Sequence, residues 1–150
     1  MRRALERELR DLRLMNQGAD ICDRIRRERR AGSTRCGVIA GKMTVAEAAR
    51  AFGLADDAMY RSIDRAEADG IATRVLAVDL AYDSQIMGSS DAAELWRKFM
   101  ALFVGQNVEF VTNASAQPGA WSSATPATFD MGILVIGANK AGCLWVEDED

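Results

Sequence analysis

The chain has 150 residues, 49% hydrophobic and 27% charged, with a net charge of −3; that length can bury a core without disulfide or metal staples. It has no histidine and three scattered cysteines, Cys22, Cys36 and Cys143, which excludes a Ser-His-Asp triad or a Cys-His pair and removes the commonest metal ligand. No apolar run is long enough for a membrane span and the opening residues do not read as a secretory signal, so a cytoplasmic, non-enzymatic protein without cofactor, metal or membrane partner is expected.

The amino-terminal stretch is basic. Residues 1–35 hold eleven arginines against six acids, whereas residues 74–150 hold four basic and ten acidic residues. Such polarity suggests that different regions face different partners. Leu5, Leu9 and Leu12, with Met15 following, share one helical face. This face is either a dimer seam or core. Gly18 is expected to end or interrupt that helix, and Asp20 to cap a second one carrying Ile21, Cys22 and Ile25. Arg24, Arg26, Arg27, Arg29 and Arg30 follow, a density suited to neutralising phosphates.

Thr44 with Glu47 forms a capping box that opens a short helix over Val45–Phe52, and Gly53 is placed to end it. Asp56 or Asp57 is expected to cap a further helix, on which Met59 and Ile63 form an inward stripe, ending near Gly70. Ala48 or Ala49 supplies a small residue where two helices would cross, and Leu54 would tuck inward at the turn.

The segment GKMTVAEAARAFG (Gly41–Gly53), with MYRSI (Met59–Ile63) behind it, resembles the homeodomain-like helix-turn-helix of transposases, small terminase subunits and phage or bacterial regulators. The resemblance covers about residues 33–70. It implies a second helix that enters a major groove, with Ala55, Asp56, Met59, Tyr60, Arg61 and Asp64 as its exposed residues. Ala55, Asp56, Met59, Tyr60 and Arg61 are then the expected base contacts. Arg24, Arg26, Arg27, Arg29, Arg30, Arg35, Lys42 and Thr44 are the expected phosphate contacts. Asp56 and Asp57 depart from the family pattern, because carboxylates there repel phosphates.

Beyond residue 73 the character changes. Residues 74–82 are expected as a strand, and Asp91 with Glu94 to start a helix running to about residue 104. Val108–Thr112 alternates as a strand, and two more strands, 131–136 and 141–146, are joined by a turn through Gly137 and Asn139. Residues 113–127 form a long loop carrying Trp121, the expected partner anchor. Asp79, Asp83 and Asp91 lie on separate elements and are a weak set for magnesium. Glu147–Asp150 reads as a solvated acidic tail.

The expected fold class is α+β. A helical helix-turn-helix module over residues 1–72 precedes a small α+β interaction or dimerisation domain over 73–150, an antiparallel sheet of about four strands with one packed helix. The expected function is a stoichiometric DNA-binding transcriptional regulator. Its partners would be double-stranded DNA and, through the acidic half, RNA polymerase or another protein, with the chain acting as a homo-oligomer. An alternative is an acidic protein-binding inhibitor of the immunity or phage counter-defence type, in which residues 44–66 are a protein interface. A third is a packaging component such as a terminase small subunit.

Overall fold

The computed structural model describes residues 2–150. Helix α1 (Arg2–Glu28) leads into strand β1 (Ser33–Ala40), and helix α2 (Val45–Ala51) follows. Strand β2 (Arg61–Ile63), helix α3 (Arg65–Ala77), the two-residue strands β3 (Val78–Asp79) and β4 (Ser84–Gln85), and helix α4 (Ser89–Met100) come next. One 3-10 turn (Ala101–Phe103) leads to β5 (Glu109–Thr112), β6 (Phe129–Ile136) and β7 (Lys140–Asp148). The five long-sheet strands are ordered β1-β7-β6-β5-β2 and every pair is antiparallel, with β3 and β4 as a separate ladder.

The class is α+β, as expected, but the sheet has five strands rather than four and the chain does not divide near residue 72. Strands β1 and β2, from the supposed helical module, form the two edges of a sheet whose centre is β7, β6 and β5. Residue 72 lies inside α3. One sheet spanning both parts ties them into a single unit.

Both faces of that sheet are covered. Phe110, Ile133, Val135, Leu144 and Val146 face the second half of α1, α3 and α4. Val111, Leu134, Ala141, Cys143 and Trp145 face α2, Leu54, Tyr60 and Ala124. A strand buried on both faces reads as a continuous apolar run, which is why residues 131–136 and 141–146 stand out in the sequence. Gly132 lets β6 and β7 close up: a Cβ there would lie 2.2 Å from the Leu144 carbonyl oxygen and 2.6 Å from the Trp145 ring.

Three local expectations are corrected. Gly18 does not break α1, because it is the point where the helix presses on β1; a Cβ would meet that of Val38 at 3.3 Å. Residues 74–82 are not one strand, since Ala68, Ala72, Val75 and Leu76 bury one side of α3 at helical spacing. The chain end is no solvated tail up to Asp148, which is buried at the end of β7.

The helix-turn-helix is also corrected. Thr44 does cap α2 with a complete capping box, and Leu54 is buried. After Gly53 (φ 75°), however, no second helix forms. The Ala55 N–H donates to Ala124 O at 2.8 Å, and Arg61–Ile63 pairs with Phe110–Thr112. Ala48 and Ala49 are fully buried against the sheet, not against a crossing helix. The next helix starts at Asp64, whose carboxylate accepts from Glu67 N at 2.8 Å. That Asp-x-x-Glu pair is a legible start signal that competes with Asp56 and Asp57.

Candidate binding groove

Losing the second helix brings together residues that the sequence offers to different partners. Met59, Tyr60 and Arg61 line one wall of a groove of about 600 Å³, and the hairpin over residues 113–122, with Trp121, lines the other. The hairpin is closed by Ser115 N donating to Ala120 O (2.8 Å) and Ser122 N to Asn113 O (2.9 Å), with Gly119 (φ 79°) in its tip. Two bonds tie the walls together: Met59 N donates to Ser122 Oγ at 3.0 Å, and Arg61 Nε to Ala114 O at 3.1 Å.

A buried polar network fixes the base of that hairpin. The Asp130 carboxylate is sealed from solvent and accepts from Trp145 Nε1, Asn113 Nδ2 and Ala124 N, each at 3.0 Å. Asn113 Nδ2 also donates to Ser122 O and Asp130 O at 2.9 Å, and its Oδ1 accepts from Gly132 N at 3.3 Å. A buried carboxylate without a cation is tolerable when several N–H groups point at it. Its effect is to hold the hairpin in one position relative to β6 and β7.

Above this floor the side chains are of mixed character. Met59 is 80% exposed, while the half-buried Trp121 leans on Phe129 with ring centroids 5.4 Å apart. Tyr60 sits edge-on to Trp145, and its hydroxyl donates to Ala55 O. Burial, with Asp130 and Cys143 nearby, pushes the Tyr60 phenol up to about 12, so it is a neutral donor at physiological pH. Arg61 is the one formally charged residue lining the groove among the described residues, and Glu67 holds its Nη2 at 2.7 Å. Apolar walls with a few placed polar groups, at this size, are typical of ligand and peptide sites.

The other expected contact residues are scattered. Arg29 is buried and fully hydrogen-bonded, so it cannot reach a phosphate. Arg24 pairs with Glu28, Arg26 with Asp23 and the Cys36 carbonyl, and Arg35 with Glu147. Thr44 spends its hydroxyl on the α2 cap, and Asp56 pairs with Arg50 at 2.9 Å. Ala55 is half-buried beneath Tyr60. Arg27, Arg30 and Lys42 are exposed. Among the described residues no group of three His, Cys, Asp or Glu could hold a metal ion, so Asp79, Asp83 and Asp91 are not brought together. No described helix is long and apolar enough to cross a membrane.

Comparison with family models, curated proteins and solved structures finds no match for this chain.

Sequence reasoning passes over Asn113 and Asp130, the groove's buried supports. Asp130 lies at the start of an apolar strand, where a carboxylate facing inward is out of place. That misfit is the signal that could have found it.

Proposed function

We propose that the chain is a stoichiometric protein-binding regulator that grips an extended segment of its partner in the groove between Met59–Arg61 and the 113–122 hairpin. The observation that carries this reading is the convergence of Met59, Tyr60, Arg61 and Trp121 on one groove of about 600 Å³. Trp, Tyr and Arg are the residues most often found at energetic hot spots. Met adapts its shape to varied side chains. An acidic or carbonyl-rich segment with a bulky apolar side chain complements these walls: the apolar group lies between Met59 and Trp121, and its acceptor meets Arg61. No chemical step is involved, and the partner is held or blocked.

The test is selection of displayed peptides against the wild-type protein, with Trp121→Ala and Arg61→Ala as counter-screens. Enriched peptides that carry an acidic and an aromatic or aliphatic residue, and that lose on the order of tenfold or more in affinity on both variants, support the reading. Peptides that bind both variants equally well count against it.

A second reading, DNA binding, draws on the exposed Arg27, Arg30 and Lys42, for which no ion pair is formed among the described residues. In the absence of a recognition helix it is confined to phosphate contacts. Fluorescence anisotropy with genomic duplex fragments at several salt concentrations separates the two. Affinity that falls steeply with salt, and that Arg27→Ala weakens while Trp121→Ala does not, favours DNA.

A further inference from the structure

Helix α1 has two apolar faces, and its own fold uses only one. The inner face, Leu14, Gly18, Ile21, Cys22 and Ile25, lies on the sheet and α4 side of the molecule, and its last four members are buried. The second face carries Leu5, Leu9 and Leu12, which are 59%, 54% and 56% exposed. At about 100° per residue this stripe points roughly half a turn away from the inner face. No bending of α1 toward its own sheet would cover it. Residues Arg2–Gln17 are, apart from the half-buried Leu14, exposed along their whole length. A helical arm of that length without tertiary packing is marginal in water, because most helix stability in proteins comes from burying an apolar stripe.

We propose that the occupant of this stripe is the same stripe of a second copy, in a parallel two-stranded coiled coil over residues 2–19. The spacing from Leu5 to Leu9, Leu12, Asn16 and Ala19 alternates four and three, the d–a–d–a–d pattern of a heptad. Two further features choose the partner and its direction. Asn16 occupies an a position, where in a parallel pair two amides meet and hydrogen-bond each other; in an antiparallel pair Asn16 would face Leu5. Glu8 and Arg13 flank the seam on opposite sides, at g and e. In a parallel pair Glu8 of one copy therefore lies beside Arg13 of the other, twice over.

The seam has a defined end. Continuing the same register past Ala19 puts Asp23 and Arg26 on the outer face, where like charges would meet across the axis. The two helices then diverge as each enters its own globular body. Because the seam and the sheet lie on opposite sides of α1, the two sheets face away from the coil axis. This arrangement does not depend on what the groove binds.

The test uses the full chain. Light scattering coupled to size exclusion should give the dimer mass at high micromolar loading, and Leu9→Glu should return it to the monomer mass without lowering the thermal midpoint of the body. Leu5→Cys should form a disulfide-linked dimer on oxidation with glutathione, seen on non-reducing electrophoresis, whereas the wild type does not. A monomer at all loadings, or a dimer that Leu9→Glu leaves intact, overturns the seam. A wild-type dimer in which Leu5→Cys fails to cross-link overturns the parallel direction, because only in that direction do the two Leu5 positions face each other.

Discussion

Arg29 and Asp148, 119 residues apart in the chain, form a doubly hydrogen-bonded ion pair inside the protein, with Nη1–Oδ1 at 2.8 Å and Nη2–Oδ2 at 2.7 Å. The remaining N–H groups of Arg29 go to the carbonyls of Val75 (2.7 Å), Ala31 (2.7 Å) and Val78 (2.9 Å), so all five donors are satisfied. Asp148 Oδ2 also accepts from Leu80 N at 2.8 Å. One guanidinium thereby joins the end of α1, the end of α3 and the end of β7. The fork geometry of arginine makes this possible, and lysine could not reproduce it.

Removing either partner leaves a buried charge alone. Asp148→Ala and Arg29→Ala should each destabilise the fold by about 3–5 kcal/mol, read from guanidinium chloride unfolding. Arg30→Ala, one residue away but exposed, should change stability by less than about 0.5 kcal/mol. Similar losses for the two arginines would contradict the burial of Arg29.

Two glycines should respond in opposite directions to alanine. Gly132→Ala forces a methyl group into Leu144 and Trp145, and the obstacle includes their main chain, so a loss of about 1–3 kcal/mol or more is expected from overpacking. Gly70 lies in the interior of α3, where an added methyl group would meet nothing within 4 Å, and Gly70→Ala should stabilise by about 0.5–1 kcal/mol. Thermal unfolding of both variants checks the sign of each.

The α2 cap is a local device with a local cost. Thr44 Oγ1 accepts from Glu47 N at 3.2 Å, and the Glu47 carboxylate accepts from Thr44 N at 3.1 Å, which holds that carboxyl below its usual range. Thr44→Ala should cost about 1 kcal/mol, while Thr44→Ser should cost much less. Chemical denaturation with both variants measures the difference.

The Tyr60 phenol should ionise near 12 in the folded protein, against about 10 in the unfolded chain. The protonated form is the one the fold favours. Its contribution is therefore complete below about pH 10 and is lost as pH rises from about 10 through 12. Tyr60→Phe should remove that part of the alkaline stability loss and the late ionisation in the ultraviolet absorbance titration of the phenols. An unchanged titration curve would mean that Tyr60 is not buried against Trp145.

Trp121 should be the tryptophan that solvent reaches. Trp96 and Trp145 are 3% and 0% exposed, and their indole N–H groups are held by Asp69 and Asp130. Acrylamide should quench wild-type fluorescence in part, and Trp121→Phe should remove most of the quenchable fraction. A groove ligand should shield it in the wild type.

Elements governed by local rules are legible in the sequence. The Thr44–Glu47 box, the helix at α4, the strands β5, β6 and β7 and the turn between the last two all lie where spacing and turn residues put them. So does Leu54, which is buried. Segments whose conformation depends on distant partners are not legible. Residues 59–63 look like a helical stripe, but pairing with β5 draws Arg61–Ile63 into a strand. Arg29 is indistinguishable in sequence from its exposed neighbours Arg27 and Arg30.

Composition and local pattern are enough for the α+β class, the main punctuation of helices and strands and the exclusion of histidine chemistry. Those are consequences of periodicity, capping and residue type, all of which act over a few residues. Long-range packing alone makes β1 and β2 the edges of one sheet, turns Arg29 into a buried strut, and brings two separate contact sets into one groove. These depend on hydrogen bonds and charges that meet across as many as 119 residues of chain, a separation at which no local pattern records the partner.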